Sequence, residues 1–89
     1  MQVITVQKRD NVLHLSGVLD CDTLNELWHN RTELLKDIKG IDVSALIRVD
    51  SAGLALLTYF CIKQNVKLLE INQQLKTLII LYDLDTLLV

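Results

Sequence analysis

The sequence predicts a single α/β domain over residues 1–89: a mixed β-sheet with helices packed against it, in the element order ββαβαβα. Three observations carry this. Apolar residues alternate over the first fifteen positions and then shift to helical spacing, so a period of 2 gives way to one near 3.6. From Ile41 onward, short aliphatic runs alternate with helix-length stretches, the pattern of units whose strands lie parallel and whose crossovers are right-handed. Hydrophobic residues make up 51% of the chain and aromatics only 4%, so one modest core must be built from Leu, Ile and Val, as in a sheet covered by helices. With three glycines and no proline, nothing reads as a linker or a disordered segment.

Val3-Ile4-Thr5-Val6 and Val12-Leu13-His14-Leu15 are strand-like, and the polar Gln7-Lys8-Arg9-Asp10-Asn11 between them makes a hairpin connection. His14 falls on the opposite face from Leu13 and Leu15, and without a ligand-spaced Cys, Asp or His it reads as a structural or surface residue. Thr23-Leu24-Asn25-Glu26 fits a capping box, with Asp22 as the alternative cap. Leu24, Leu27, Trp28, Leu35 and Ile38 then share one face of a helix ended by Gly40. Trp28 is assigned to core packing, with an interface anchor as the alternative; His29, Asn30, Arg31 and Glu33 form the solvated side.

The central stretch is Ile41 to Leu57, reading IDVSALIRVDSAGLALL. Val43, Leu46 and Ile47 belong to a strand, Val49-Asp50-Ser51 to a turn, and a helix starts at Ala52, where Asp50 or Ser51 can accept its free N–H groups. Gly53, in the first helical turn, lets a neighbouring backbone or a partner approach the Ser51 hydroxyl. At 100° per residue, Gly53, Leu54, Leu57, Phe60 and Cys61 cluster on one side of this helix, and Ala52, Ala55, Tyr59 and Ile62 on the other. Only one side can face the sheet. The second side, beginning beside Ser51, points to a protein partner unless flanking helices cover it. Val66 to Ile71 then reads as a strand, and Asn72 as the cap of a last helix through Tyr82, striped by Leu75, Leu78, Ile79 and Tyr82. The tail Asp83 to Val89 ends in Leu87-Leu88-Val89, either a short strand or a loose apolar end.

Charge excludes several functions. Nine basic and eleven acidic residues are scattered to a formal net charge of −2, so no field attracts a phosphate backbone, and nucleic acid is not an expected partner. Cys21 and Cys61 lack metal or redox spacing and read as packing residues in a reducing compartment. No signal-peptide stretch follows Met1, and the longest apolar run, Leu54 to Ile62, is far shorter than the roughly 20 residues of a span. A cytoplasmic chain is expected. There is no glycine-rich phosphate loop with its Lys, and Ser51 has no His placed by a motif to activate it. No catalytic residue, cofactor or metal is therefore expected.

Asp50-Ser51-Ala52-Gly53-Leu54 resembles the D-S-x-G-L turn of STAS domains, the family of anti-sigma factor antagonists and sulfate-transporter C-terminal domains. Leu15-Ser16-Gly17-Val18-Leu19-Asp20, followed by Thr23, Leu24, Leu27 and Trp28, resembles the family's L-x-G-x-L-D segment and first helix, and Ile41-Asp42-Val43-Ser44 its central I-D-L-S strand. Within the family, Leu27-Trp28 and Arg48 to Leu57 are most similar to the small cytoplasmic STAS subunits of bacterial phospholipid ABC transporters that maintain outer-membrane lipid asymmetry. The resemblance implies a STAS-like fold and a non-catalytic subunit. It would bind the ATPase subunit and, through it, a permease complex, peripheral on the inner membrane with no span of its own. Taken with the helix geometry, it puts the partner-binding surface on Asp50, Ser51, Ala52, Ala55, Tyr59 and Ile62. It also implies a phosphorylation or switch position at Ser51, where composition alone favours a plain helix cap. The alternative is an anti-sigma factor antagonist regulated by serine phosphorylation.

Overall fold

Two left-handed residues close the hairpin that begins the sheet. In the computed structural model, which describes residues 3–84, β1 (Ile4–Arg9) and β2 (Val12–Leu19) pair antiparallel, from Ile4 opposite Gly17 to Arg9 opposite Val12. Asp10 and Asn11 both have positive φ, 52° and 64°, the backbone of a two-residue turn whose twist matches its strands. The connection is shorter than expected because Gln7, Lys8 and Arg9 continue the ladder.

β3 (Gly40–Val49) runs parallel to β2, and the short β4 (Leu68–Leu69) parallel to β3, so the strand order is β1-β2-β3-β4. Gly40 does not end a helix but opens β3; the chain reverses at Asp37, with φ of 60°. β4 is shorter than the expected Val66–Ile71 strand, since Glu70 turns left-handed at φ 56° directly after it.

The first expected helix is two short ones, α1 (Leu24–His29) and α2 (Arg31–Leu35), separated by Asn30. Asn30 Nδ2 donates to the Glu26 carbonyl at 2.9 Å, and the Arg31 guanidinium to the Trp28 carbonyl at 2.8 Å. These side chains compete for the carbonyls of a continuous helix, which breaks there. At the far end of α2, the Lys8 ammonium donates to the Glu33 and Lys36 carbonyls, tying the helix to β1.

α3 (Ser51–Gln64) follows β3, and α4 (Gln73–Leu81) follows β4. Asn72 caps α4 as expected: its Oδ1 accepts from the Leu75 N–H at 2.8 Å, while its Nδ2 donates to the Leu46 carbonyl. One core joins Leu13, Leu15, Ile41 and Val43 from the sheet with Leu27, Leu35, Leu54, Leu57, Phe60, Leu75 and Ile79 from the helices. The helices therefore lie on one face of the sheet. The other face carries Thr5, Gln7, His14, Ser16, Asp42 and Ser44, by strand alternation and pairing. Tyr82, expected in the stripe of α4, is half exposed just past the helix end. The expected alternatives for the Asp83–Val89 tail fall from residue 85 on outside the described residues.

Candidate partner-binding site

The ends of the parallel strands β2 and β3 lie side by side, and an aspartate organises each exit. In open α/β sheets these carboxyl ends are where sites form. After β2, Asp20 Oδ1 accepts from the N–H groups of Asp22 and Thr23 at 3.0 and 3.1 Å. The Thr23 hydroxyl donates to the Val18 carbonyl at 2.9 Å and accepts from the Asp20 N–H at 3.0 Å. The expected capping box at Thr23 is thus absent, because its hydroxyl is turned back to the strand; Asp20, three residues earlier, shapes the entry to α1. The carboxylate of Asp20 is almost fully buried, with Arg48 Nη2 3.6 Å away.

After β3, Asp50 caps α3. Its Oδ1 accepts from the Gly53 N–H at 2.8 Å and its Oδ2 from the Cys21 N–H at 3.2 Å, while its own N–H donates to the Leu19 carbonyl at 3.2 Å. One carboxylate thereby caps the helix and pins the two turns together. Gly53 is required by this closeness: a Cβ there would stand 2.3 Å from the Leu19 carbonyl oxygen. The backbone that approaches Gly53 belongs to the chain's own β2, not to a partner. Ser51 is the first residue of α3 and is exposed. The cap is the Asp50 carboxylate, so the expectation that Ser51 serves as a plain cap is corrected.

Beyond the turn, α3 divides as its spacing requires. Gly53, Leu54, Leu56, Leu57, Phe60 and Cys61 are buried; Ala55, Tyr59 and Ile62 are exposed and Ala52 is partly so. Ile62 is 73% exposed, a large aliphatic side chain left in water. Tyr59 packs against Trp28 of α1 with ring centroids 5.2 Å apart and planes at 60°, a tilted aromatic pair. The Arg31 guanidinium lies over the Trp28 ring, 4.0 Å from its centroid. Neither thiol is activated. Burial pushes Cys61 up to about 11, and the negative charge of Asp22, then desolvation, Asp50 and Asp20 raise Cys21. Among the described residues no group of three or more His, Cys, Asp or Glu side chains is placed to hold a metal, and no helix is long and apolar enough to cross a membrane.

A family model described as "Mlab, STAS domain" matches residues 4–89 of this chain. The chain belongs to the STAS domain family. Two relatives are 46% identical over 79 residues, covering 83% of this chain and 81% of theirs: proteins of Escherichia coli (strain K12) and Shigella flexneri, each named intermembrane phospholipid transport system binding protein MlaB. The family fits the geometry, since the STAS turn resembled by Asp50 to Leu54 is the one that ends β3 and begins α3.

In this STAS domain the residues singled out by sequence lie on one surface. Asp50 and Ser51 form the turn, and Ala52, Ala55, Tyr59 and Ile62 continue along the outer side of α3. Trp28 departs from its expected place in the core: at 37% exposure it caps the edge of this surface through Tyr59. The signal was its position, about 100° from Leu27 on the helical wheel and so at the margin of the apolar stripe. Arg31, read as solvated, is partly buried against the same ring, as the i,i+3 neighbour of Trp28.

Proposed function

We propose that this STAS domain is the cytoplasmic accessory subunit of an intermembrane phospholipid transport system. It binds the ATPase subunit, catalyses no step itself, and reaches the permease complex and the inner membrane through that partner. The observation that supports this best is an exposed apolar surface, Ala55, Tyr59 and Ile62 with Trp28, running from the Ser51 turn. It occurs in a chain 46% identical to proteins named as binding proteins of such a system. Large aromatic and aliphatic side chains fixed on helices need little ordering to dock, which is how a small rigid domain achieves affinity.

Ser51 sits where a partner surface would meet the first turn of α3. A phosphoryl group there would be tolerated by the helix N-terminus but would have to be desolvated on docking, so it would act as an off-switch. Ser51→Asp tests both the surface and the switch. The variant should fold normally, since an acid in the first helical turn favours the dipole, while affinity for the purified ATPase subunit and its stimulated hydrolysis should fall. Affinity purification from the native cell, read by mass spectrometry, should recover an ABC ATPase and a permease. Recovery of a kinase-type anti-sigma factor in their place would overturn the proposal in favour of the antagonist reading.

A further inference from the structure

Along the outer side of α3 the charges are segregated. At its N-terminal end Asp22 and Asp50 flank Cys21, and the buried Asp20 is paired with Arg48. At its C-terminal end Arg31, Thr32 and Leu35 of α2 face Tyr59, Lys63 and Gln64 of α3 across an open groove of about 350 Å³. Lys63 stands in the last turn of α3, where the helix dipole alone favours a cation. The dipole does not account for Arg31, which comes from another helix and is held in place twice, by its stack on Trp28 and by its bond to the Trp28 carbonyl. Among the described residues neither cation forms an ion pair. An arginine oriented in advance, with donors still unused, loses little freedom when it meets a carboxylate.

We infer that the groove between α2 and α3 receives an acidic side chain of the protein partner, seated between Arg31 and Lys63 beside the Trp28–Tyr59 pair. This rests on the proposed ATPase-binding role and adds the chemistry and orientation of the docking. A partner that places an acid at this groove meets the cationic end of α3, and its cations are steered to the Asp22 end; the reverse orientation sets like charges against each other. Tyr59 and Leu35 line the groove, and Tyr59 carries it to Trp28, so its occupant presents a carboxylate next to apolar side chains, which a protein surface does.

The test measures affinity of the whole chain for the purified ATPase subunit between about 50 and about 300 mM salt, a range over which exposed charges are progressively screened. Lys63→Glu should weaken binding about tenfold at the low-salt end and flatten its salt dependence, with Lys63→Gln giving about threefold. Thermal melts should stay close to wild type, since Lys63 is exposed. If both variants bind with unchanged affinity and salt dependence while Ser51→Asp still weakens the complex, the groove inference fails and the ATPase-binding role stands. Absence of any complex with the wild-type chain overturns both. Vesicles of phosphatidylglycerol and phosphatidylethanolamine serve as the second arm. The expected result is no co-sedimentation; capture of wild type that Lys63→Glu abolishes would assign the groove to lipid headgroups and overturn a protein carboxylate as its occupant.

Discussion

Of the surfaces that the described residues leave uncovered, the bare face of the sheet and the outer side of α3 are built in opposite ways. On the bare face of the sheet Asp42, Ser44 and His14 satisfy each other, with Ile47 exposed farther along β3. Asp42 Oδ1 accepts from the Ser44 N–H at 2.9 Å and from its hydroxyl at 2.7 Å, and the other carboxylate oxygen lies 3.6 Å from His14 Nδ1. The outer side of α3 instead carries Ala55, Tyr59 and Ile62, of which only the Tyr59 hydroxyl can bond water. A polar face can remain solvated at little cost, whereas a continuous apolar one marks a place where something else removes the water. Exposure alone therefore does not favour a site in this domain; the chemistry of what is exposed does.

The comparison breaks most decisively if the same change is made on both surfaces. Ala45 is exposed in β3 and lines the bare sheet face, while Ala55 is exposed on α3. Ala55→Glu should weaken association with the ATPase subunit by roughly 2–5 kcal/mol, the cost of leaving a charge buried and unpaired in the interface. Ala45→Glu should leave that affinity unchanged. Both should fold, with stability moving by about 0.5 kcal/mol or less for an exposed site. Binding titrations and thermal melts on the two variants check this; equal losses of affinity, or a collapse in melting temperature for Ala55→Glu alone, would show that the outer side of α3 is not a free docking surface.

Much of this contrast is legible in the sequence, and the exceptions have two causes. The apolar and outer positions of α3 follow from helical periodicity, and the Asn72 cap from local chemistry, since both depend on residues a few positions apart. The environments of Trp28 and Gly53 come from elsewhere in the chain, so local spacing does not fix them. Trp28 is placed by Tyr59, thirty-one positions later, and Gly53 is forced by the carbonyl of Leu19. The break at Asn30 is a second kind: the apolar spacing continues through it, but side-chain amide and guanidinium groups capture the carbonyls first. The choice between Asp50 and Ser51 as the cap is open in sequence because either residue type serves; the helix starts at Ser51, which leaves Asp50 as the cap.

That choice sharpens the comparison at its boundary, where the turn joins the apolar surface. Asp50→Ala removes the acceptor of both the Gly53 and Cys21 N–H groups and should cost about 1–2 kcal/mol, a fall of about 4–8 °C in melting temperature for each kcal/mol in a domain of this size. Ser51→Ala removes an exposed hydroxyl that caps nothing and should shift stability by about 0.5 kcal/mol or less. A Ser51→Ala melt as low as that of Asp50→Ala would restore the serine as the cap.

The smallest effect belongs to the bare face and is a matter of pH. Burial alone would raise the Asp42 carboxyl, but hydrogen bonds from the Ser44 backbone and hydroxyl, with His14 and Arg9 nearby, outweigh it and hold the group below its ordinary 3.8. A carboxylate depressed on folding adds stability that is fully present above the unfolded value and is lost as the pH falls through the folded one. Asp42→Asn should therefore lie below wild type in stability near neutral pH by less than about 1 kcal/mol, the range of partly exposed charge pairs. The gap should narrow as the pH falls below the ordinary 3.8 and close only below the depressed native value, where the native carboxyl takes up its proton and comes to resemble the amide. Denaturant titrations on both proteins from neutral to acidic pH read this directly, and the ATPase affinity of Asp42→Asn should equal that of wild type. A gap that persists in acid would mean that the Asp42 hydrogen bonds, not its charge, stabilise the sheet, while a fall in affinity would make the polar face a binding surface too.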